Sequence, residues 1–516
     1  MKEFFDGDIL EGQYFNASKN GSKFFVDEDG KRFYISRKES SNALHKDRVK
    51  VELIRLQNKT SLNAVVISVL ERTAETLVGT LDKTDKTCFF IPDLGGVDFH
   101  IRREYVGEAK NGDRIKVELL KWPKNKRRPE GKIVHVFGKT GEHEAEIQSI
   151  ISKFDVQEDF PEKVLREANA IPLELDSEEI KKRSDLRRKF TFTIDGEDAK
   201  DLDDAISFKK NDNNSFEIGI HIADVSHYVK KDSELDKEAF CRATSVYLVD
   251  RVVPMLPRKL SNEICSLNPN EDKLCFSVVF TISDSGDILD FKISETIINS
   301  DYRFTYGEVQ DIIDNKKDNL SEKESAIKTL HRLSKIYRNN RIEKGAMTFS
   351  GKQPKFILDE NKKIVEIKNE KLTESHNLIE EFMLLTNKTV STFMFQKKQP
   401  IIFRVHDKPK KDKLEELSIF VNKLNIDFKV SDDYKKTKQS LRNVLEILEY
   451  SQEKDIVTNL IIRSMSKAKC ETVNIGHYGL GESFMPPNGY SWFTSPIKRF
   501  ADLVLHRQVK SYLKID

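Results

Sequence analysis

Residues 193–208 read TIDGEDAKDLDDAISF, with five aspartates and one glutamate in ten positions between two apolar, strand-like flanks, TFTI and AISF. Like charges at this density repel, and burying an ionised carboxylate without a partner is costly. An acidic run is ordinarily a solvated turn. Here it interrupts a core element, which marks a site. Asp195, Asp201, Asp203 and Asp204 are spaced i, i+6, i+8, i+9. On one regular strand Asp203 and Asp204 would face opposite sides, so they converge only where the chain is irregular, as sites commonly are. Two magnesium ions about 4 Å apart would neutralise such a cluster and serve in-line phosphoryl displacement. A calcium loop is the rival. Its D-x-[DN]-x-[DN]-G spacing fails, because Ala199 occupies the fifth position and Gly196 is misplaced.

On the C-terminal side the character is mixed α/β. SFEIGIHIADV alternates Phe216, Ile218, Ile220 and Ile222, a strand signature. TESHNLIEEFMLLTNKTVSTFM has helical spacing, with Thr373 or Ser375 as N-cap. KDKLEELSIFVNKLN and SLRNVLEILEY also read as helices. On the N-terminal side, short β-prone pieces surround turn signals at Asn20–Gly21, Asp27–Gly30 and Gly95–Gly96. DRVKVEL at 47–53 is echoed by DRIKVEL at 113–119, which argues for two tandem small β-barrels. Phe24, Phe25, Phe33, Tyr34, Phe89 and Phe90 interleave with Lys31 and Arg32, suiting a nucleic-acid stacking surface; the bland alternative makes half of these aromatics barrel core. The stretch 121–132, KWPKNKRRPEGK, reads as a solvated basic loop. KKRSDLRRKF, at the end of a polar helical connector, reads either as an electrostatic collar for phosphates or as a solvated linker face.

The domains expected are therefore 1–70 and 71–138 as barrels, 139–190 as connector, and 191–516 as one large α/β domain. The net charge of +2 identifies no partner. No apolar run approaches the ~18 residues of a membrane span. The start lacks the basic-then-apolar order of a secretion signal. Five cysteines without a C-x-x-C pair point away from disulfides and thiolate zinc, and toward a reducing cytoplasm.

The acidic stretch resembles the active-site segment of the RNase II/RNase R exoribonucleases, the RNB family. The resemblance continues through GIHIADVSHYV, ATSVYLVDRVVPMLPRKLSNEICSLNPNEDKLCFSV, IEEFMLLTN, FRVHDKP and WFTSPIKRFADLVLHR, in order across 191–516. The two N-terminal units resemble the family's tandem cold-shock (OB-fold) domains, and Gly196 and Glu197 favour the RNase R branch. The fold class implied is two OB-fold barrels followed by an α/β RNB catalytic domain. The resemblance implies a processive 3′→5′ hydrolytic exoribonuclease that uses Mg2+, with Mn2+ as a substitute, and releases nucleoside 5′-monophosphates. Its partner would be RNA, as single-stranded 3′ ends or structured RNA with a 3′ overhang, handled by a cytoplasmic monomer without membrane contact. Asp195, Asp201, Asp203 and Asp204 match the catalytic, metal-holding aspartates. Tyr247 matches the tyrosine that clamps the 3′-terminal nucleotide, Tyr306 and Phe349 match channel aromatics, and Glu381 matches an acidic ribose contact or else is a helix-surface carboxylate.

Two departures stand out. Where the family runs SPIRR or SPIRK, this chain has SPIKRF, so Lys498 takes the place of the catalytic arginine and Arg499 follows. Lysine keeps the charge but loses the bidentate fork, so either Lys498 is a weaker phosphate contact or Arg499 substitutes. The chain also ends at Asp516, before the family's last catalytic helix and C-terminal OB fold, so a truncated product or a fragment is expected. An inactive RNA-binding relative and a DNA-directed phosphodiesterase are the competing readings.

Overall fold

The computed structural model describes the chain except residues 1–3, 17–22, 29, 37–38, 56–61, 74, 96, 123–127, 316–319, 349–351, 361 and 515–516. It divides into two compact units, Met1–Glu158 with Glu360–Lys363, and Asp159–Asp359 with Ile364–Asp516.

In the first unit, β1 (Ile9–Asn16), β2 (Lys23–Asp27), β3 (Arg32–Ile35), β4 (Arg48–Arg55) and β5 (Leu62–Glu71) close a barrel in the order β1-β2-β3-β5-β4. A second barrel follows from β6 (Thr76–Lys83), β7 (Cys88–Pro92), β8 (Phe99–Ile101), β9 (Asp113–Lys121) and β10 (Glu130–Lys139). The echoed heptads are β4 and β9. Their alternation buries Val49, Val51 and Leu53 in one barrel and Ile115 and Val117 in the other. The repeat extends to glycine: a Cβ on Gly12 of β1 would fall on the Val26 carbonyl, and one on Gly79 of β6 on the Ile91 carbonyl. The Asp27–Gly30 turn forms, with Gly30 N–H donating to Asp27 O at 3.0 Å and Gly30 at φ +79°. The turn expected at Asn20–Gly21 lies outside the described residues.

The aromatic doublets split by the same alternation. Phe25, Phe33 and Phe90 are core, whereas Tyr34 is exposed. Phe24 lies outside the barrel core, stacked on Phe15 at 5.3 Å with the Arg32 guanidinium 5.0 Å from its ring. Phe89 carries Arg128 at 4.4 Å. The basic stretch 121–132 is not wholly a loop: residues 130–132 begin β10, and Glu130 accepts from Arg102 at 2.8 Å. Helix α1 (His143–Lys153) packs on the second barrel, where Arg114 donates to both Asp93 and Ser149.

The second unit opens with α2 (Glu162–Ala170) and α3 (Ser177–Lys182). Its sheet comprises β11 (Ser184–Asp185), β12 (Thr191–Asp195), β13 (Asp204–Lys210), β14 (Phe216–Ala223), β17 (Asp272–Ile282), β18 (Ile288–Asn299) and β19 (Tyr302–Thr305). The order is β11-β18-β17-β14-β13-β12-β19. Between β14 and β17 the chain forms α4 (Val225–Tyr228), α5 (Glu234–Arg242) and a two-residue hairpin pair, β15 (Val246–Tyr247) and β16 (Val252–Val253). One core packs Phe192, Ile206, Ile218, Ile220, Phe276 and Phe280 against helices α6 (Tyr306–Asp314), α7 (Glu322–Glu343), α8 (Glu374–Gln396) and α12 (Phe500–Leu513). A second gathers Leu202, Ala205, Ala223, Leu235, Met255, Leu260 and Ile497. Helices α9 (Lys411–Asn422), α10 (Tyr434–Ile447) and α11 (Lys454–Ser464) share a core of their own around Phe428, Leu441 and Val457. The N-cap of α8 is Thr373.

The charge run KKRSDLRRKF proves to be neither collar nor open face at its key positions. Arg183 is buried among Glu179, Asp224 and Glu295. Arg187 pairs with Asp185 and Asp272, and Lys189 with Glu217. Arg183, Arg187 and Lys189 spend their charge on docking the connector to the sheet, whereas Lys181, Lys182 and Arg188 form an exposed face.

Candidate active site

The acidic stretch is a break between neighbouring strands. β12 ends at Asp195, the chain loops out, and β13 resumes at Asp204, opposite Ile222 of β14. The loop is held by groups that read its backbone. Arg303 on β19 donates to the carbonyls of Gly196, Glu197 and Ala199 at 3.2, 2.9 and 2.7 Å. Ser266 donates to Lys200 O at 2.9 Å and accepts from Leu202 N–H at 3.1 Å. Leu202 is wholly buried, and this anchor leaves Asp201 and Asp203, on either side of it, facing the same partner.

That partner is Lys498. Its ammonium donates to Asp201 O at 2.7 Å and to Asp203 Oδ2 at 2.8 Å, and lies 3.4 Å from Asp201 Oδ2. Asp203 is 1% exposed, and its other oxygen accepts from Ile497 N–H at 2.8 Å. The segment that delivers Lys498 also fixes the hairpin: Lys498 O accepts from Ser245 N–H at 2.8 Å and from Thr244 Oγ at 3.1 Å. Two residues on, the exposed Tyr247 donates its hydroxyl to Asp201 Oδ2 at 2.8 Å. Sequence positions some 46 and 297 residues from Asp201 thus meet on one aspartate.

The electrostatics follow from burial and crowding. Burial raises the Asp195 carboxyl to about 6 against the pull of Lys498, with repulsion from Asp203 adding to it. Burial plus Asp195 and Asp203 raises Asp204 to about 8. Asp203 is also raised, by burial against the pull of Lys498. Burial opposes the charge on Lys498, but Asp203 and Asp201 outweigh it and keep the ammonium firmly protonated. Asp195 Oδ2 is buried without a hydrogen-bond partner. One ammonium does not balance this cluster.

The other expected site residues are placed as follows. Tyr306 is the first residue of α6, after the Thr305 N-cap; it stacks on His376 at 3.9 Å, and its hydroxyl is raised by burial and then by Asp204 and Asp195, within whose field it lies. Arg499 donates to Asp502 at 2.7 Å and lies 4.4 Å over Trp492, with its Nε buried and unpartnered. Glu381 is 3% exposed and ion-paired to Arg341 of α7, so it is not a helix-surface carboxylate. Phe349 lies outside the described residues. Sequence reading missed Arg303, Ser266, Trp492 and Asp502. Asp502 was findable as an acid three residues after Arg499 at a helix start; the first two act on backbone carbonyls, which leave no spacing signal.

The arrangement is an oxygen-rich, partly buried anionic pocket with one ammonium inside it and an exposed aromatic ring at its edge. The donor set is all oxygen, which suits a hard divalent cation, and the orphaned Asp195 Oδ2 is a ligand atom without a role in the protein's own hydrogen bonding. Among the described residues, no three acidic, histidine or cysteine side chains are already arranged as a metal cage; the Lys498 ammonium bridges Asp201 and Asp203 instead.

Comparison with known proteins accords with this geometry. The RNB domain model matches residues 183–515, and a cold shock domain model matches 89–161. Ribonuclease R of Thermotoga maritima is 38% identical over 499 residues, covering 95% of this chain and 69% of the relative. Ribonuclease R of Aquifex aeolicus is 34% identical over 506 residues, covering 96% and 70%. The structure of Mycoplasma genitalium RNase R in complex with ribose methylated single-stranded RNA superimposes with a TM-score of 0.85 at 25% identity, covering 98% of this chain and 79% of that one. Two OB-like barrels, the interrupted acidic strand and these matches lead to one assignment: the chain belongs to the RNB family of exoribonucleases, in its ribonuclease R branch.

Proposed function

We propose that the chain is a magnesium-dependent, processive 3′→5′ hydrolase that shortens single-stranded RNA, and structured RNA with a 3′ tail, to nucleoside 5′-monophosphates. The observation that carries this reading is the convergence of Asp195, Asp203 and Asp204, all raised by burial and mutual repulsion, beside Tyr247 and Lys498. The related Mycoplasma genitalium enzyme has been solved with single-stranded and with double-stranded RNA, which supports RNA as substrate here.

Asp195, Asp201, Asp203 and Asp204 would hold Mg2+, or Mn2+ in its place. Bound there, the ion supplies charge neutralisation at the phosphate and an activated water. The protein's own groups do the rest. Tyr247 offers a ring on which the terminal base stacks, while its hydroxyl keeps that ring registered to Asp201. Such stacking is tolerant of base identity, as a degradative enzyme needs. Asp195 Oδ2, buried and without a hydrogen-bond partner in the protein, is the carboxylate oxygen left for the ion. The water oxygen bonds to phosphorus, the bond to the 3′-oxygen breaks, and that oxygen takes up a proton as the new 3′-hydroxyl. Lys498 balances the carboxylates, and Arg499, held over Trp492, provides the positive charge that the phosphate meets. All five cysteines are free thiols, two of them exposed, which supports a reducing cytoplasm. Sedimentation would test the monomer.

A 5′-labelled RNA and its DNA analogue, each with magnesium and with chelator, test the reading. A descending ladder on RNA with magnesium alone, and 5′-monophosphates by chromatography, are expected. Cleavage of DNA at the same rate, or full activity in chelator, would refute it.

A further inference from the structure

The second unit holds another charged cluster, of opposite sign. Helix α10 presents Lys435, Lys438 and Arg442 to a cavity of about 250 Å³, whose far wall is the end of α7 and the loop bearing Tyr478 and Glu482. Lys438 is 7% exposed. Its ammonium donates to the Tyr478 carbonyl and lies 4.3 Å from the centre of that residue's ring. Glu482 is paired with Lys435 at 3.0 Å, and among the described residues no carboxylate is in ion-pair range of Lys344, Lys438 or Arg442. Burial pushes Lys438 down to about 8 against a pull from Glu482, and Arg442 adds a smaller repulsion. Lys388 behind the wall is lowered too, by burial and by Lys344. Four cations, Lys344, Lys435, Lys438 and Arg442, line the cavity against two carboxylates, Glu343 and Glu482, and an anion relieves this excess of partly buried positive charge.

The wall is built, not loose. Met347 N–H donates to Gly479 O at 2.9 Å and Glu482 N–H to Lys344 O at 2.8 Å. Gly481, at φ +99°, approaches so closely that a Cβ there would meet Lys344 O at 2.9 Å. Tyr434 and Tyr478 also line a second lobe of about 370 Å³, which carries Lys408 and Lys410 beside Asp407, with Lys411 paired to Asp432 at 2.8 Å. Lobes of this size suit a small ligand, whereas a polynucleotide strand follows an open groove. The buried Lys438 on the cavity wall favours the former.

We propose that this two-lobed groove binds a mononucleotide, with its phosphate on Lys438 and Arg442 and its base beside the exposed Tyr434 ring. Calorimetric titration of the full chain with AMP, and separately with inorganic phosphate, tests it. AMP should bind saturably, more tightly than phosphate. Its Kd should rise about tenfold or more in Lys438→Met and in Arg442→Gln, and stay unchanged in Asp204→Asn. The half-buried Arg442 carries the test if the Lys438 variant does not fold. No saturation by about 10 mM AMP, indifference to Arg442→Gln, loss of binding in Asp204→Asn, or phosphate binding as tightly as AMP would overturn the proposal. So would a ten-nucleotide RNA that alone depends on Arg442, which would make the groove an RNA contact.

Discussion

Replacing Lys498 with methionine removes the one ammonium among the catalytic-site carboxylates while keeping a chain of similar length. Asp203, 1% exposed, would retain only the Ile497 N–H. Removing one partner of a buried ion pair typically costs about 3–5 kcal/mol. Lys498 keeps 28% of its side chain exposed, which places the expected loss near the lower bound, about 3 kcal/mol. That is roughly a hundredfold in the unfolding equilibrium. The chain has two tryptophans, Trp122 in the first unit and Trp492 in the second. In a Trp122→Phe background, urea unfolding followed by fluorescence therefore reports the unit that contains the site. Adding Asp203→Asn to Lys498→Met should return about 2 kcal/mol, because the two residues touch and their effects are not additive. Millimolar magnesium should likewise restore stability by replacing the missing charge. A loss below about 1 kcal/mol would assign the pair the worth of a solvated surface contact and refute the reasoning. A double variant no more stable than Lys498→Met would do the same.

Tyr247→Ala should leave cleavage running but release RNA at a longer limit fragment, since stacking is worth roughly 1–3 kcal/mol per base; Tyr247→Phe, which keeps the ring and loses the bond to Asp201, should not change the end product on a sequencing gel. Asp204→Asn should slow cleavage about a thousandfold or more, equivalent to ~4 kcal/mol, with RNA binding by filter assay retained. Residual activity above about a tenth of wild type would remove Asp204 from the machinery. In metal-free buffer, the raised Asp204 carboxyl binds a proton in the folded state that the unfolded chain has already lost, so this group's contribution to stability falls as pH rises from about 4 to about 8. Wild type should therefore lose Tm against Asp204→Asn across that window, and a flat difference would contradict the burial of this carboxylate.

The fold was legible where the signal is local. The echoed heptads announced two barrels because strand alternation writes itself into every second residue, and the doublets Phe24–Phe25 and Phe89–Phe90 divided into one core and one outer ring for the same reason. The acidic loop was legible because a core element does not tolerate unpaired charge. What stayed hidden was pairing at a distance. Arg183, Arg187 and Lys189 looked like a basic collar because Asp224, Glu295, Asp272 and Glu217, which neutralise them, lie far along the chain. Glu381 was likewise ambiguous until Arg341 supplied its partner.

The same limit explains why the lysine in SPIKRF could not be interpreted from the motif alone. A lysine replacing an arginine reads in sequence as a weakened phosphate contact. In the fold, the acceptors around Lys498 are Asp201 O, Asp203 Oδ2 and Asp201 Oδ2, all within 3.4 Å of one nitrogen. Three acceptors about a single atom match a compact ammonium with three rotatable donors; a planar guanidinium spreads its donors over a wider fork. Lys498 is therefore fitted to the carboxylates, and through its own carbonyl it ties Thr244 and Ser245, and with them the hairpin that carries Tyr247, to the acidic loop. One residue thereby ties the exposed Tyr247 ring to the carboxylates of the acidic loop. The delocalised cation this position lacks stands next along the chain, where Arg499 is braced by Asp502 and Trp492. The two functions that one arginine could combine are divided here between neighbours: charge balance at Lys498 and a fixed guanidinium at Arg499.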